Sequence, residues 1–196
     1  LMADQDNPNR LQQACWAYEK AIAEATHYLD EKEYVVHLFS YAYFLNEERQ
    51  YNLALEPYTH ALKIYRSLNE VNPEAYLPDV AMTLNNLANL QRDLHQYDKA
   101  EENHTEALRI YRDLAEVNPE AYRIHYAIVL GCISYMYILK REFIKAELCA
   151  RDGIRVDSTQ TFIYSNLASS LLMQGKYDEA ERLYLLYKNE LRDAFL

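Results

Sequence analysis

The chain has 196 residues, half of them hydrophobic, and a formal net charge of −10. That charge repels the phosphates of nucleic acids and of acidic membrane surfaces, so neither is expected as a partner. Only three Gly and five Pro are present, which argues for long helices joined by short turns.

Leu1–Asn9 is polar around one proline and is expected to fray. Leu11, Ala14, Tyr18, Ala21 and Ile22 then form one apolar stripe, which predicts a helix over 10–29. Helices follow at 33–48 and 52–68, with Asn52 placed to cap the second and Asn72-Pro73 to stop it. Pro78 is expected to interrupt or restart the next helix, so the following pair is placed at 79–94 and 98–117. Asp98 and Glu101 have capping-box spacing, repeated at Asp178 and Glu181. Asn118-Pro119 reads as an N-cap followed by proline at the first helical position, opening a helix that runs to Lys140. Helices over 144–156, 160–174 and 178–194 complete the series. No apolar run approaches the ~20 residues needed to span a bilayer, so no membrane insertion is expected. Three cysteines without a CxxC pair read as reduced, mostly buried thiols.

The stretch from Leu77 to Tyr122 organises the rest, because its pattern recurs on both sides. Ala61–Tyr76, ALKIYRSLNEVNPEAY, and Ala107–Tyr122, ALRIYRDLAEVNPEAY, differ at three of sixteen positions and lie 46 residues apart. Tyr51, Tyr97, Phe143 and Tyr177 are each followed three residues later by an alanine: Ala54, Ala100, Ala146 and Ala180. Nine residues before each aromatic stands a small residue: Ala42, Ala88, Ser134 and Ala168. Successive copies are offset by 46, 46 and 34 residues. Small side chains at a helix crossing let two helices approach, and stacking such hairpins builds a continuous core.

Thr161–Ala194 closely resembles a tetratricopeptide repeat: Tyr164, Leu167-Ala168, the turn Gly175-Lys176-Tyr177, then Ala180 and Tyr184. The longer copies, with PDVA at Pro78–Ala81 and LNNLA at Leu84–Ala88, resemble the extended repeats of kinesin light chains and many bacterial proteins. The resemblance implies an all-α fold, a right-handed alpha-alpha superhelix of antiparallel hairpins. It is expected to fill residues 1–196 as one domain, with a lone helix over 10–29 and repeats over 33–72, 79–118, 119–158 and 160–194. The apolar C-terminal AFL and the unpaired first helix suggest a fragment of a longer chain, with self-association through uncapped ends. Gly153 replaces the alanine found at Ala61 and Ala107, and the turn glycine survives only at Gly175.

No GxSxG, Walker, GxGxxG or HExxH pattern is present, so no catalytic, metal or cofactor site is expected. His104, near Glu101 and Glu102, reads as an ordinary histidine on a solvated acidic face rather than a metal corner. In tetratricopeptide arrays the first helices line the concave surface. That register places Tyr43 and Asn46, then Asn85, Asn89 and Arg92, then Tyr135, then Asn166 and Ser169 on a peptide-binding groove. An asparagine amide both donates and accepts, so it can pair with a peptide backbone without demanding a sequence; similar asparagines hold cargo peptides in kinesin light chains. The lysines of a carboxylate clamp are missing. The resemblance therefore implies a cytoplasmic, non-catalytic scaffold for a protein or peptide partner, the alternative being an assembly or dimerisation arm of a larger protein.

Overall fold

The computed structural model describes residues 9–28 and 31–193. Among these there are nine α-helices and no strand. They are α1 (Arg10–Tyr28), α2 (Glu31–Glu47), α3 (Tyr51–Val71), α4 (Pro73–Asp93), α5 (Tyr97–Val117), α6 (Pro119–Leu139), α7 (Phe143–Val156), α8 (Thr161–Met173) and α9 (Tyr177–Asp193). The chain forms two compact units, Leu1–His95 and Gln96–Leu196. The division falls between α4 and α5, inside the repeat expected over 79–118.

In the first unit α3 packs against both α2 and α4, and α1 lies on α2. The small residues at the repeat positions are fully buried: Ala42 on α2, Ala54 and Ala61 on α3, Ala88 on α4. Tyr58 and Leu84 are fully buried in the same unit. The second unit repeats the plan. There α6 packs on α5, α7 and α8, and α9 on α8, with Ala100, Ala107, Ala127, Ala146 and Ala150 buried. Ser134 takes the small-residue position of α6, and its hydroxyl donates to the Ala146 carbonyl at 2.8 Å. Gly153 is filled from across the crossing: a Cβ there would sit 3.1 Å from Ile163 Cδ1. The glycine thus makes room for a larger residue on α8.

Four helix-to-helix turns span three residues, and the middle one has positive φ each time: Arg49 (57°), His95 (60°), Arg141 (61°) and Gly175 (78°). The closing bonds recur as well. Gln50, Glu142 and Lys176 donate backbone N–H to the carbonyls of Leu45, Tyr137 and Leu171, five residues back. Arg49, Arg141 and Gly175 donate three residues back, to Asn46, Ile138 and Leu172. This is the Schellman pattern, which satisfies the last carbonyls of a helix through one left-handed residue.

Several sequence expectations need correction. Asn52 does not cap α3; the N-cap is Gln50, without a side-chain bond. Asp98 and Asp178 lie inside the first turns of α5 and α9, so they act on the helix dipole rather than in a capping box. Pro78 does not interrupt its helix, because α4 starts five residues earlier, at Pro73. Asn72 caps it by accepting the Ala75 N–H at 3.3 Å. The hydrogen bond that Pro78 forgoes is to the carbonyl of Glu74, an exposed first-turn residue that water reaches. Asn118 caps α6 the same way, accepting from Ala121 N at 3.2 Å, as its sequence predicts. Among the described residues one helix, α6, is long and apolar enough to cross a membrane by length and composition, contrary to the reading that no such run exists. Its apolarity has a use inside the second unit, where it packs on three other helices and buries Ala127, Val129, Leu130, Ile133 and Met136.

Candidate functional site

The first helices of successive hairpins touch within each unit: α2 with α4, and α6 with α8. These pairs carry the expected site residues, and the two pairs differ in chemistry.

On the α2–α4 pair, Tyr43 is 49% exposed. The Oδ1 atoms of Asn46 and Asn85 are buried and have no hydrogen-bond partner among the described residues. An orphaned buried acceptor costs about 1–3 kcal/mol. Asn89 is already engaged: its Oδ1 accepts from Arg92 Nη1 at 2.9 Å. Arg92 in turn pairs with Asp93 at 2.8 Å, and its side chain is only 13% exposed. The expected stripe therefore divides into a free acceptor, Asn85, and a closed Asn89–Arg92–Asp93 clasp.

On the α6–α8 pair, Asn166 is buried, and its Nδ2 donates to the Gly131 carbonyl at 2.9 Å. That bond ties α8 to α6 and occupies the amide. Gly131 lets the helices meet, since a Cβ there would lie 2.5 Å from the Phe162 ring. Tyr135 and Ser169 are exposed, in company with Leu139, Phe162, Leu172 and Met173. This face is apolar where the α2–α4 face is amide-bearing. The Cys132 thiol beside Gly131 is half-buried.

Hydrogen-bonded ion pairs brace the second unit. Glu101 on α5 accepts from the Tyr137 hydroxyl at 2.8 Å and from Lys140 Nζ at 2.6 Å. The Lys140 hydrogen bond holds the Glu101 carboxyl below its ordinary range. Glu147 on α7 accepts from Lys176 Nζ at 2.6 Å and from Gln174 Nε2 at 2.8 Å, binding α7 to the α8–α9 turn. Arg151 bridges Glu147 and Glu179.

Among the described residues no group of three or more His, Cys, Asp or Glu side chains could hold a metal ion. His104 is fully buried rather than on a solvated face. It stands 46 residues after the buried Tyr58 and fills the matching core position. Burial pushes the Cys149 thiol up to about 11, away from thiolate chemistry.

Two tetratricopeptide repeat family models match the chain, one over residues 36–113 and another over 163–185. The fold is similar to the crystal structure of BtubC (BKLC) from P. vanneervenii, at 20% identity and a TM-score of 0.75, covering 94% of this chain and 74% of that one. It is also similar to the apo form of RapI, at 19% identity and a TM-score of 0.78, covering 95% and 67%. A third similar structure is a Podosopora anserina putative kinesin light chain with nearly identical TPR-like repeats, at 14% identity and a TM-score of 0.72, covering 95% and 89%. Among curated proteins no sequence match was found.

Proposed function

This chain belongs to the tetratricopeptide repeat superfamily, and we propose that it is a non-catalytic interaction scaffold that takes a peptide or helical segment of a protein partner on its first-helix faces. The observation that carries the proposal is the pair of orphaned acceptors, Asn46 Oδ1 and Asn85 Oδ1, on two helices that touch. Both side chains are half-buried, so a turn of the amide brings each oxygen to a backbone N–H of a bound segment. Tyr43 offers an amphipathic ring beside them, suited to cover an apolar side chain. In the second unit Tyr135 and Ser169, with Phe162 and Leu172, offer a more apolar stretch for the same purpose. Asn166 serves α6–α8 packing and drops out of the groove. Asn89 serves by holding Arg92.

The test is capture of a partner on the intact chain, identification of the bound segment, and titration of that segment against variants. Asn46→Ala with Asn85→Ala removes two hydrogen bonds at about 0.5–1.5 kcal/mol each, so affinity should fall around tenfold or more. Thermal stability should hold or rise, because two orphaned acceptors leave the fold. Unchanged affinity would show that these amides do not contact the segment.

One observation favours a second reading, an assembly arm. Tyr177, Tyr184 and Leu185, which share one side of α9, are all exposed, an apolar face of the sort that drives association. Light scattering separates the readings: a mass that rises with concentration, and drops to the monomer on Leu185→Lys, favours the arm.

A further inference from the structure

A cavity of about 440 Å³ opens between α1 and α2, lined by Tyr18, Phe39, Ser40, Tyr43, Phe44, Glu47 and Glu48. We propose that it receives a cationic side chain, the ammonium of a lysine or the guanidinium of an arginine, from the partner segment. The inference rests on the reading that a segment lies on the α2–α4 face, and it specifies the chemistry of that segment.

Four of the seven lining residues are aromatic. The Tyr18 and Phe44 rings sit 5.5 Å apart at 32°, so they form adjoining walls rather than one closed stack. Ring faces carry negative quadrupole charge and attract a cation. The volume lies in the range of about 300–1,000 Å³ typical of small-molecule pockets, enough for one long side chain.

The polar groups on the wall point to a donor. Ser40 has already given its hydroxyl hydrogen to the Val36 carbonyl at 2.8 Å, so its oxygen remains as an acceptor. Glu47 is exposed and has no cationic partner among the described residues. An ammonium carries three donors and no acceptor, and a guanidinium five, which suits the Glu47 carboxylate, the Ser40 oxygen and the phenol oxygens of Tyr18 and Tyr43 as acceptors. A neutral side chain would cover the rings but desolvate Glu47 without pairing it. An acidic one would meet like charge.

A second observation lies behind the wall. Tyr58 is fully buried, and its hydroxyl has no hydrogen-bond partner among the described residues. Its ring meets Phe39 edge-on at 5.6 Å. Burial, then the proximity of Tyr43 and of the Glu47 carboxylate, push the pKa of its phenol up. The hydroxyl therefore lies within the field of two cavity residues. A cation seated beside Glu47 offsets the carboxylate charge that lies near this buried oxygen.

The experiment titrates the whole chain with N-acetyl-lysine methylamide and with its neutral counterpart, N-acetyl-norleucine methylamide, following the ring resonances of Tyr18 and Tyr43 by NMR. The lysine probe should shift both rings saturably, and the norleucine probe should bind at least tenfold more weakly. Glu47→Gln, at an exposed position, should remove most of that preference. Glu102→Gln, on α5, should leave it intact and so excludes a general effect of the net charge. Equal response to both probes, an unchanged Glu47→Gln, or equal loss in Glu102→Gln overturns the proposal. These probes are too short to lie along the α2–α4 face, so Asn85→Ala should not affect them. If the lysine probe fails while a partner segment still loses affinity in Asn85→Ala, the cation site falls and the groove stands.

Discussion

Arg141 sits at φ 61°, in the left-handed region that favours glycine, and its counterpart in the last hairpin is Gly175 at φ 78°. A side chain in this region costs about 1–2 kcal/mol, of which glycine's greater unfolded-state freedom returns roughly 0.5–1. Arg141→Gly should therefore stabilise the chain by about 0.5–1 kcal/mol in urea unfolding. Gly175→Ala should destabilise it by a similar amount, although a Cβ there meets nothing within 4 Å. A neutral Gly175→Ala would mean that the turn relaxes out of the left-handed conformation. The hairpin turns were legible only at Gly175, because Arg49, His95 and Arg141 carry no local sign of positive φ; the closing bonds impose it. The same limit applies to Asn46, Asn85, Asn89 and Asn166. Their register was readable from the repeat, but an amide's partner depends on what the neighbouring helix presents. Gly131, lacking a side chain, lets Asn166 reach its carbonyl, and nothing among the described residues offers a donor to Asn85 Oδ1.

At the scale of elements, small residues at the crossings decide which helices pair. Ala100 is fully buried on α5, so Ala100→Leu should overpack the crossing and cost roughly 1–3 kcal/mol. Stability equal to the parent would place the crossing elsewhere. The Glu101–Lys140 pair gives the α5–α6 contact a pH dependence. Lys140 hydrogen bonding lowers Glu101 from the usual 4.5, so its contribution is complete above that value and is lost as pH falls through the lower folded value. Hydrogen bonding to Glu101 raises Lys140 above the usual 10.5, so the pair's contribution is complete below that value and is lost as pH rises beyond it. Melting temperature should decline at both edges, and Glu101→Gln should make both declines shallower, with Glu142 still paired to Lys140. An acid limb equally steep in Glu101→Gln would assign the dependence to other carboxylates. Helix existence was legible from the apolar stripes, and α6 from its Asn-Pro start. The start of α4 was not, because Pro78 suggests a break when read alone. Asn72-Pro73 five residues before it supplies a start, and a second-turn proline then costs only one bond to an exposed carbonyl.

For the whole molecule, the repeat offsets carried the fold and the superfamily, because helix pairing in such arrays is set by local, recurring contacts. The asymmetry between the units was not legible. Asn46 and Asn85 keep orphaned acceptors in one, whereas Asn166 closes its counterpart in the other and leaves Tyr135, Phe162 and Leu172 exposed. The most direct measurement is amide hydrogen exchange of the intact chain with and without a partner segment identified by capture. The scaffold reading predicts added protection along α2 and α4, centred on the turns of helix that carry Asn46 and Asn85, and its loss in the Asn46→Ala, Asn85→Ala variant. Protection confined to α1 and α9, with α2 and α4 unchanged, would contradict it.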